Sequence, residues 1–139
     1  MTLTNPFPRP VPDATLDSQP FWDGVKNRQL TIQLCDRCAV HNFRPRPLCP
    51  NCGSTDLSWV NASGKGTVWS YSVVHRPVSA AFREAVPYVV ALIKLEEGPL
   101  LMSNIVGIDA ADVTVGLSVE LTFSEEHDGR VVPLFKPVR

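Results

Sequence analysis

Four cysteines carry the clearest chemical pattern in this chain of 139 residues. They stand as Cys35-Asp36-Arg37-Cys38 and, after ten intervening residues, as Cys49-Pro50-Asn51-Cys52, with Gly53 next. Two Cys-x-x-Cys pairs on one short segment can set four thiolates at the corners of a tetrahedron, the closed geometry of a structural zinc site with Zn–S bonds of about 2.3 Å. Gly53 lets the chain turn tightly enough for backbone N–H groups to point at sulfur, and Pro50 stiffens the same knuckle. Every cysteine is used, so none is left over as a nucleophile, and four protein ligands leave no position open for water or substrate. The zinc is expected to be scaffold and not reagent, with His41 as a bystander between the pairs.

The remaining polar residues do not assemble into a catalytic set. There is no nucleophile elbow, no glycine-rich dinucleotide fingerprint and no His-Glu-x-x-His. His41, His75 and His127 fall on separate segments. His75 ends a strand pattern beside Arg76 and Pro77, where an imidazole and a guanidinium can meet a phosphate or carboxylate, or simply face water. Residues 66–139 hold six Lys/Arg against nine Asp/Glu, a net −3, while residues 1–65 hold seven against five, a net +2. A nucleic-acid groove draws most of its affinity from neutralising phosphates, which an acidic segment supplies poorly. Trp69 and Tyr71 share one strand and could stack on bases, but strand aromatics more commonly fill a barrel core.

The elements that must position the cysteines follow from periodicity. Pro6, Pro8, Pro10 and Pro12 block helix and sheet pairing, so residues 1–17 read as an extended strap, either a disordered tail or a segment laid along a partner, where Phe7 and Val11 could anchor it. Ser18 suits an N-cap and Pro20 a first helical turn. Phe21, Trp22 and Val25 share one side of the short helix that follows, and Gly24 is its weak point. Two large rings need burial, either on the zinc module or on another protein. Leu30, Ile32 and Leu34 alternate with Thr31 and Gln33 as a half-buried strand entering the first knuckle, and Leu57 to Val60 leaves the second. Residues 18–63 are thus a helix and a zinc ribbon.

Gly64-Lys65-Gly66 reads as a flexible joint opening a second unit, residues 64–139. Strand patterns cover Thr67 to Val74, Val89 to Glu96, Leu100 to Val106, Ser118 to Phe123 and Val131 to Lys136. In the first, Trp69, Tyr71 and Val73 are expected on one face, opposite Val68, Ser70, Ser72 and Val74. Hairpins are expected at Glu97-Gly98-Pro99 and Asp128-Gly129, with a short helical turn within 109–116. Five strands with a helical turn between the third and fourth is the plan of an OB-fold barrel. The chain is therefore expected to be mainly β, with an N-terminal helix and a rubredoxin-like zinc ribbon followed by that barrel. The loop from Pro77 to Pro87, with Phe82 beside Arg83, either covers its own barrel or meets something else. No segment pairs a basic start with an apolar run, and none approaches the roughly 20 apolar residues of a membrane helix, so a soluble cytoplasmic protein is expected.

The run Phe21-Trp22-Asp23-Gly24, the four cysteines, Gly64-Lys65-Gly66-Thr67-Val68-Trp69-Ser70-Tyr71, Val74-His75-Arg76-Pro77, Pro87-Tyr88-Val89-Val90-Ala91-Leu92 and Gly116-Leu117-Ser118-Val119-Glu120 together resemble a known family. It is the family of small accessory proteins built from a rubredoxin-like zinc ribbon and an OB-fold, long labelled a domain of unknown function, and the similarity runs from about residue 18 onward. The resemblance implies a non-catalytic subunit, with structural zinc, that binds a thiolase or thiolase-like aldolase in a hetero-oligomer and helps enclose its acyl-CoA, with steroid side-chain degradation as one such setting. Catalytic residues then belong to the partner. His75, Arg76, Phe82 and Arg83 become expected contacts to acyl-CoA or partner, and Phe21 and Trp22 a docking point. The alternative is a stand-alone protein that binds acyl-CoA or single-stranded nucleic acid.

Overall fold

The computed structural model describes residues 10, 12–124 and 131–139. Phe7 and Val11 of the proline-rich strap lie outside them. Helix α1 (Gln19–Lys26) begins with Pro20 in its first turn, where the missing N–H costs no intrahelical bond. Ser18 occupies the N-cap position, its carbonyl accepting from the Trp22 N–H at 3.1 Å, but its hydroxyl accepts from the Thr15 N–H at 2.8 Å and leaves the helix uncapped by a side chain. Gly24 corrects the expectation of a weak point. A Cβ built there would lie 2.9 Å from the Thr31 Cβ and 3.3 Å from the Gln29 carbonyl oxygen, so only glycine lets the helix lie this close to the next strand.

That strand, β1 (Thr31–Cys35), is the centre of a three-stranded antiparallel ribbon between β2 (His41–Asn42) and β3 (Leu57–Asn61). Leu30 and Ile32 are fully buried as expected, but the simple alternation stops there. Gln33 is only 4% exposed while Leu34 is half-buried. The loop after β2 folds over Gln33, whose side-chain amide donates to the Arg46 carbonyl at 2.8 Å and accepts from the Arg46 N–H at 3.0 Å. A polar position is thereby spent on holding the inter-knuckle loop.

The joint is not flexible in the way its glycines suggested. The Ala62 N–H donates to the Leu30 carbonyl at 2.7 Å, the Ser63 N–H to the Glu97 carboxylate at 2.8 Å and the Leu121 N–H to the Gly64 carbonyl at 2.7 Å. Gly64 has φ 83°, and a Cβ on Gly66 would stand 2.6 Å from the Lys94 carbonyl oxygen. These glycines are present for close approach, not for freedom.

Beyond it, β4 (Lys65–Val74), β5 (Tyr88–Leu95), β6 (Leu100–Ile105), β7 (Ser118–Phe123) and β8 (Pro133–Pro137) close a barrel in the order β4-β5-β6-β8-β7. All neighbours are antiparallel except β6 and β8, which meet in parallel at Ile105 and Phe135. A 3-10 turn, Ala110–Asp112, separates the third and fourth barrel strands as the OB plan requires. Gly98, at φ 118°, turns β5 into β6. The expected Asp128-Gly129 turn lies outside the described residues, but β7 and β8 on either side of it pair antiparallel. Phe135, Ile93 and Leu101 fill the barrel, and one continuous core runs from them to Phe21, Val25, Leu30 and Ile32 of the helix and ribbon. Among the described residues no helix is long and apolar enough to cross a membrane.

One expected face is redistributed. The β4–β5 register shifts between Val68 and Ser70, so Val68 pairs with Ile93 and Tyr71 with Ala91, both partners buried, and Trp69 is turned outward at the bulge. Trp69 is 53% and Tyr71 40% exposed, so neither is the enclosed core aromatic that composition favoured.

Candidate functional site

The two cysteine pairs sit in matching backbone turns. In the first, the Cys35 N–H donates to the Val40 carbonyl at 3.0 Å and the Ala39 N–H to the Cys35 carbonyl at 2.8 Å. In the second, the Cys49 N–H donates to Ser54 at 2.9 Å and the Gly53 N–H to Cys49 at 2.8 Å. Strands β1 and β3 flank the knuckles, pairing Cys35 with Leu57, and so bring the turns face to face.

All four Sγ atoms lie within 4.8 Å of one another, with Cys35 and Cys52 at 3.6 Å and Cys38 and Cys49 at 3.7 Å. A tetrahedron of sulfurs about 2.3 Å from a central ion has edges of about 3.8 Å, so the donor set fits zinc. His41 pairs with Leu34 on β2 and takes no place in the cluster. Cys35 and Cys49 are buried, Cys38 is half-buried and Cys52 faces solvent. The four cysteines form a structural zinc site, and four protein ligands leave no position open for chemistry.

The four thiols are electrostatically unequal. Burial pushes the Cys49 thiol up, but the backbone N–H groups of Cys52 and Asn51 and the side-chain amide of Asn42 outweigh it and hold the group down at about 6. The Asn51 amide, 3.5 Å from its sulfur, and the Val40 N–H lower Cys38. The Ser54 N–H pulls Cys52 down, yet desolvation and the three neighbouring sulfurs push it up to about 12. Asn42 and Asn51 were missed in the sequence. Asn51 lies inside a Cys-x-x-Cys and was open to notice, whereas Asn42 acts from seven residues before Cys49 with no motif to mark it.

The expected acyl-CoA or partner contacts, His75, Arg76, Phe82 and Arg83, lie at the end of β4 and in the loop that leads from it to β5. His75 and Arg76 are exposed just past the last residue of β4, Val74, which pairs with Tyr88 at the start of β5. Phe82 sits in a 3-10 turn (Ala80–Phe82) of the connecting loop, its ring 6.2 Å from that of Tyr88, with Arg83 exposed beside it. The loop therefore folds back toward the strand end that carries His75. Phe21 is 6% exposed, packed on Trp22 and Phe43 at ring separations of 5.0 and 5.3 Å, so of the helix pair only Trp22 retains appreciable surface. On the outer sheet face Lys94 lies over the Trp69 ring at 5.0 Å, next to exposed Leu100 and Met102.

A four-cysteine ribbon and a closed five-stranded barrel share one continuous core in this chain, the build of a zinc ribbon joined to an OB fold. Family profiles agree in both halves: the rubredoxin-like zinc ribbon domain of ChsH2 matches residues 22–58 and the ChsH2 C-terminal OB-fold domain residues 59–124. The chain is 37% identical over 125 residues to a DUF35 domain-containing scaffold protein of Methanocaldococcus jannaschii, covering 84% of this chain and 88% of that one. It belongs to the ChsH2/DUF35 family. It is also 40% identical over 129 residues to a probable enoyl-CoA hydratase alpha subunit of Thermomonospora curvata, covering 93% of this chain. With the 3-oxo-4,17-pregnadiene-20-carboxyl-CoA hydratase alpha subunit of Mycobacterium tuberculosis it shares 37% over 118 residues, 84% of this chain. The chain spans only 40% and 37% of the lengths of those two subunits. Among solved structures it superposes on a chain of the Ltp2-ChsH2(DUF35) aldolase with a TM-score of 0.82 at 39% identity, covering 91% of this chain and 98% of that one.

Proposed function

We propose that this chain is a non-catalytic subunit that binds a thiolase-superfamily enzyme, an aldolase or thiolase, and helps enclose that enzyme's acyl-CoA substrate. The observation that carries the reading is the likeness over nearly the full length of both chains to a component of an aldolase complex. The closed zinc site supports it, because every cysteine is committed to structure. The kinship with a pregnadiene-carboxyl-CoA hydratase subunit supports a bulky, steroid-like acyl group. The His75, Arg76, Phe82 and Arg83 end of the barrel supplies two guanidinium groups for a CoA phosphate or an acidic partner surface, and a ring for the pantetheine or acyl path.

The outer face of the second and third barrel strands is where OB folds commonly take extended ligands. Here Leu100 and Met102, with Trp69 from the adjoining β4, outnumber the ammonium of Lys94, which suits a protein surface better than a phosphate backbone.

Native mass spectrometry of the tagged, zinc-loaded chain purified from its own host tests the subunit reading. A thiolase-sized partner travelling with it is the expected result, and the complex is then assayed with acyl-CoA esters. A chain that arrives alone overturns obligate association and shifts the question to direct titration with acyl-CoA and single-stranded nucleic acid. Within a recovered complex, Arg76→Ala and Phe82→Ala are expected to weaken substrate or partner binding at least tenfold. Unchanged binding and activity in both would remove that end of the barrel from the site.

A further inference from the structure

Among the described residues the buried polar side chains are Gln33, Asn42 and Ser54, and all three serve the ribbon. Gln33 ties down the loop at Arg46, and the Ser54 hydroxyl accepts from the Asp56 N–H at 3.0 Å. Asn42 is different, because its amide nitrogen is aimed at sulfur: it stands 3.7 Å from the Cys49 Sγ at 7% exposure. A buried amide is costly unless its hydrogens find an acceptor, and a thiolate rewards such a donor more than a neutral oxygen does. Asn51 repeats the contact from the solvent side, its amide nitrogen 3.5 Å from the Cys38 Sγ.

We propose that Asn42 and Asn51 are positioning residues that tune the grip of the ribbon on its zinc, Asn42 strongly and Asn51 weakly. Four thiolates around one divalent ion leave a surplus of two negative charges, and donors aimed at sulfur spread that charge and fix the sulfur orientation. The two asparagines act on opposite knuckles, one on each cysteine pair. Asn42 reaches a sulfur that water cannot reach, so nothing replaces its hydrogen bond when it is lost. Asn51 is exposed, and water can take over much of its part.

The test uses the full chain loaded with zinc, and separately with Co(II). Asn42→Leu keeps roughly the volume of the side chain and removes the donor. It is expected to lower zinc affinity, measured by competition with a chromophoric chelator, by about 10- to 100-fold. Asn51→Ala is expected to lower it by less than about tenfold. Loss of a hydrogen bond raises the energy of the sulfur lone pair, so the sulfur-to-Co(II) charge-transfer band is expected to move to longer wavelength in both variants. A merely structural role for the asparagines would leave that band in place. A folded Asn42→Leu chain with wild-type affinity and an unshifted band overturns the proposal. Should Asn42→Leu fail to fold, Asn42→Ala, which removes the same donor without placing a branched apolar group beside the sulfurs, decides: an unshifted band there overturns the proposal equally.

Discussion

Ala39 and Gly53 occupy the same left-handed position of the two cysteine knuckles, at φ 62° and 78°. An L-residue with a Cβ pays about 1–2 kcal/mol for that conformation, while glycine gives up about 0.5–1 kcal/mol in unfolded-chain entropy. Ala39→Gly is therefore expected to stabilise the zinc-loaded chain by about 0.5–1 kcal/mol in urea denaturation. Gly53→Ala, whose Cβ would meet nothing within 4 Å, is expected to cost about as much. Destabilisation by Ala39→Gly would show that the knuckles are not equivalent.

The contact between Gly24 and Thr31 makes a contrary prediction for a residue that helix propensity would replace. Gly24→Ala gains about 1 kcal/mol of propensity but forces a Cβ into the Thr31 side chain, an overpacking cost of about 1–3 kcal/mol. A net loss of up to about 2 kcal/mol is expected. A stabilised variant would mean that the helix can lift off β1 at little cost.

The zinc site should respond to pH with a definite sign. Cys49, at about 6 against an ordinary thiol value of 9.0, favours the folded chain fully above pH 9, and that contribution fades as pH falls and is gone below about 6. Cys52, raised to about 12 from 9.0, acts in the opposite sense in the metal-free chain, favouring the fold below pH 9 and losing that as pH rises through 12. Zinc needs both as thiolates, so binding at pH 7 must expel the Cys52 proton. Calorimetry in buffers of different ionisation enthalpy is expected to record release of at least one proton per zinc, and zinc affinity is expected to fall as pH is lowered. Binding without proton release would contradict the assignment.

Trp69 gives a stability test of its outward placement. A core aromatic costs about 3–5 kcal/mol on truncation, whereas an exposed ring with one cation–π contact should cost under about 1 kcal/mol. Trp69→Ala is expected to fall in the second class in the isolated chain. Should the face dock a partner, the same variant will weaken the complex more than tenfold while leaving the free chain folded.

Much of this architecture was legible in the sequence because it rests on local rules. The cysteine spacing gave the zinc site, and period-two alternation placed all five barrel strands within a few residues. What could not be read depends on which surfaces meet. Gln33 looks like a solvent-facing strand residue until the Arg46 loop is laid over it. Gly24, Gly64 and Gly66 look like weak or flexible points until their neighbours arrive within about 3 Å of where a Cβ would stand. The bulge that turns Trp69 outward has no marker in its own sequence, since it arises from pairing with β5. Asn42 belongs to the same class: its role exists only after β2 has been set beside the second knuckle.

The Ala62, Ser63 and Gly64 backbone, pinned on three sides to Leu30, Glu97 and Leu121, removes the pivot that a ribbon-plus-barrel plan invites. The molecule then behaves as a gauge block. The hydrogen-bonded joint sets the separation between the zinc knuckles and the His75 end of the barrel, and on the proposed role an enzyme surface touched by both would have to match it to within the small adjustments that pre-organised interfaces make. On the proposed subunit role, such a part would select its partner by span before any single side chain has been read.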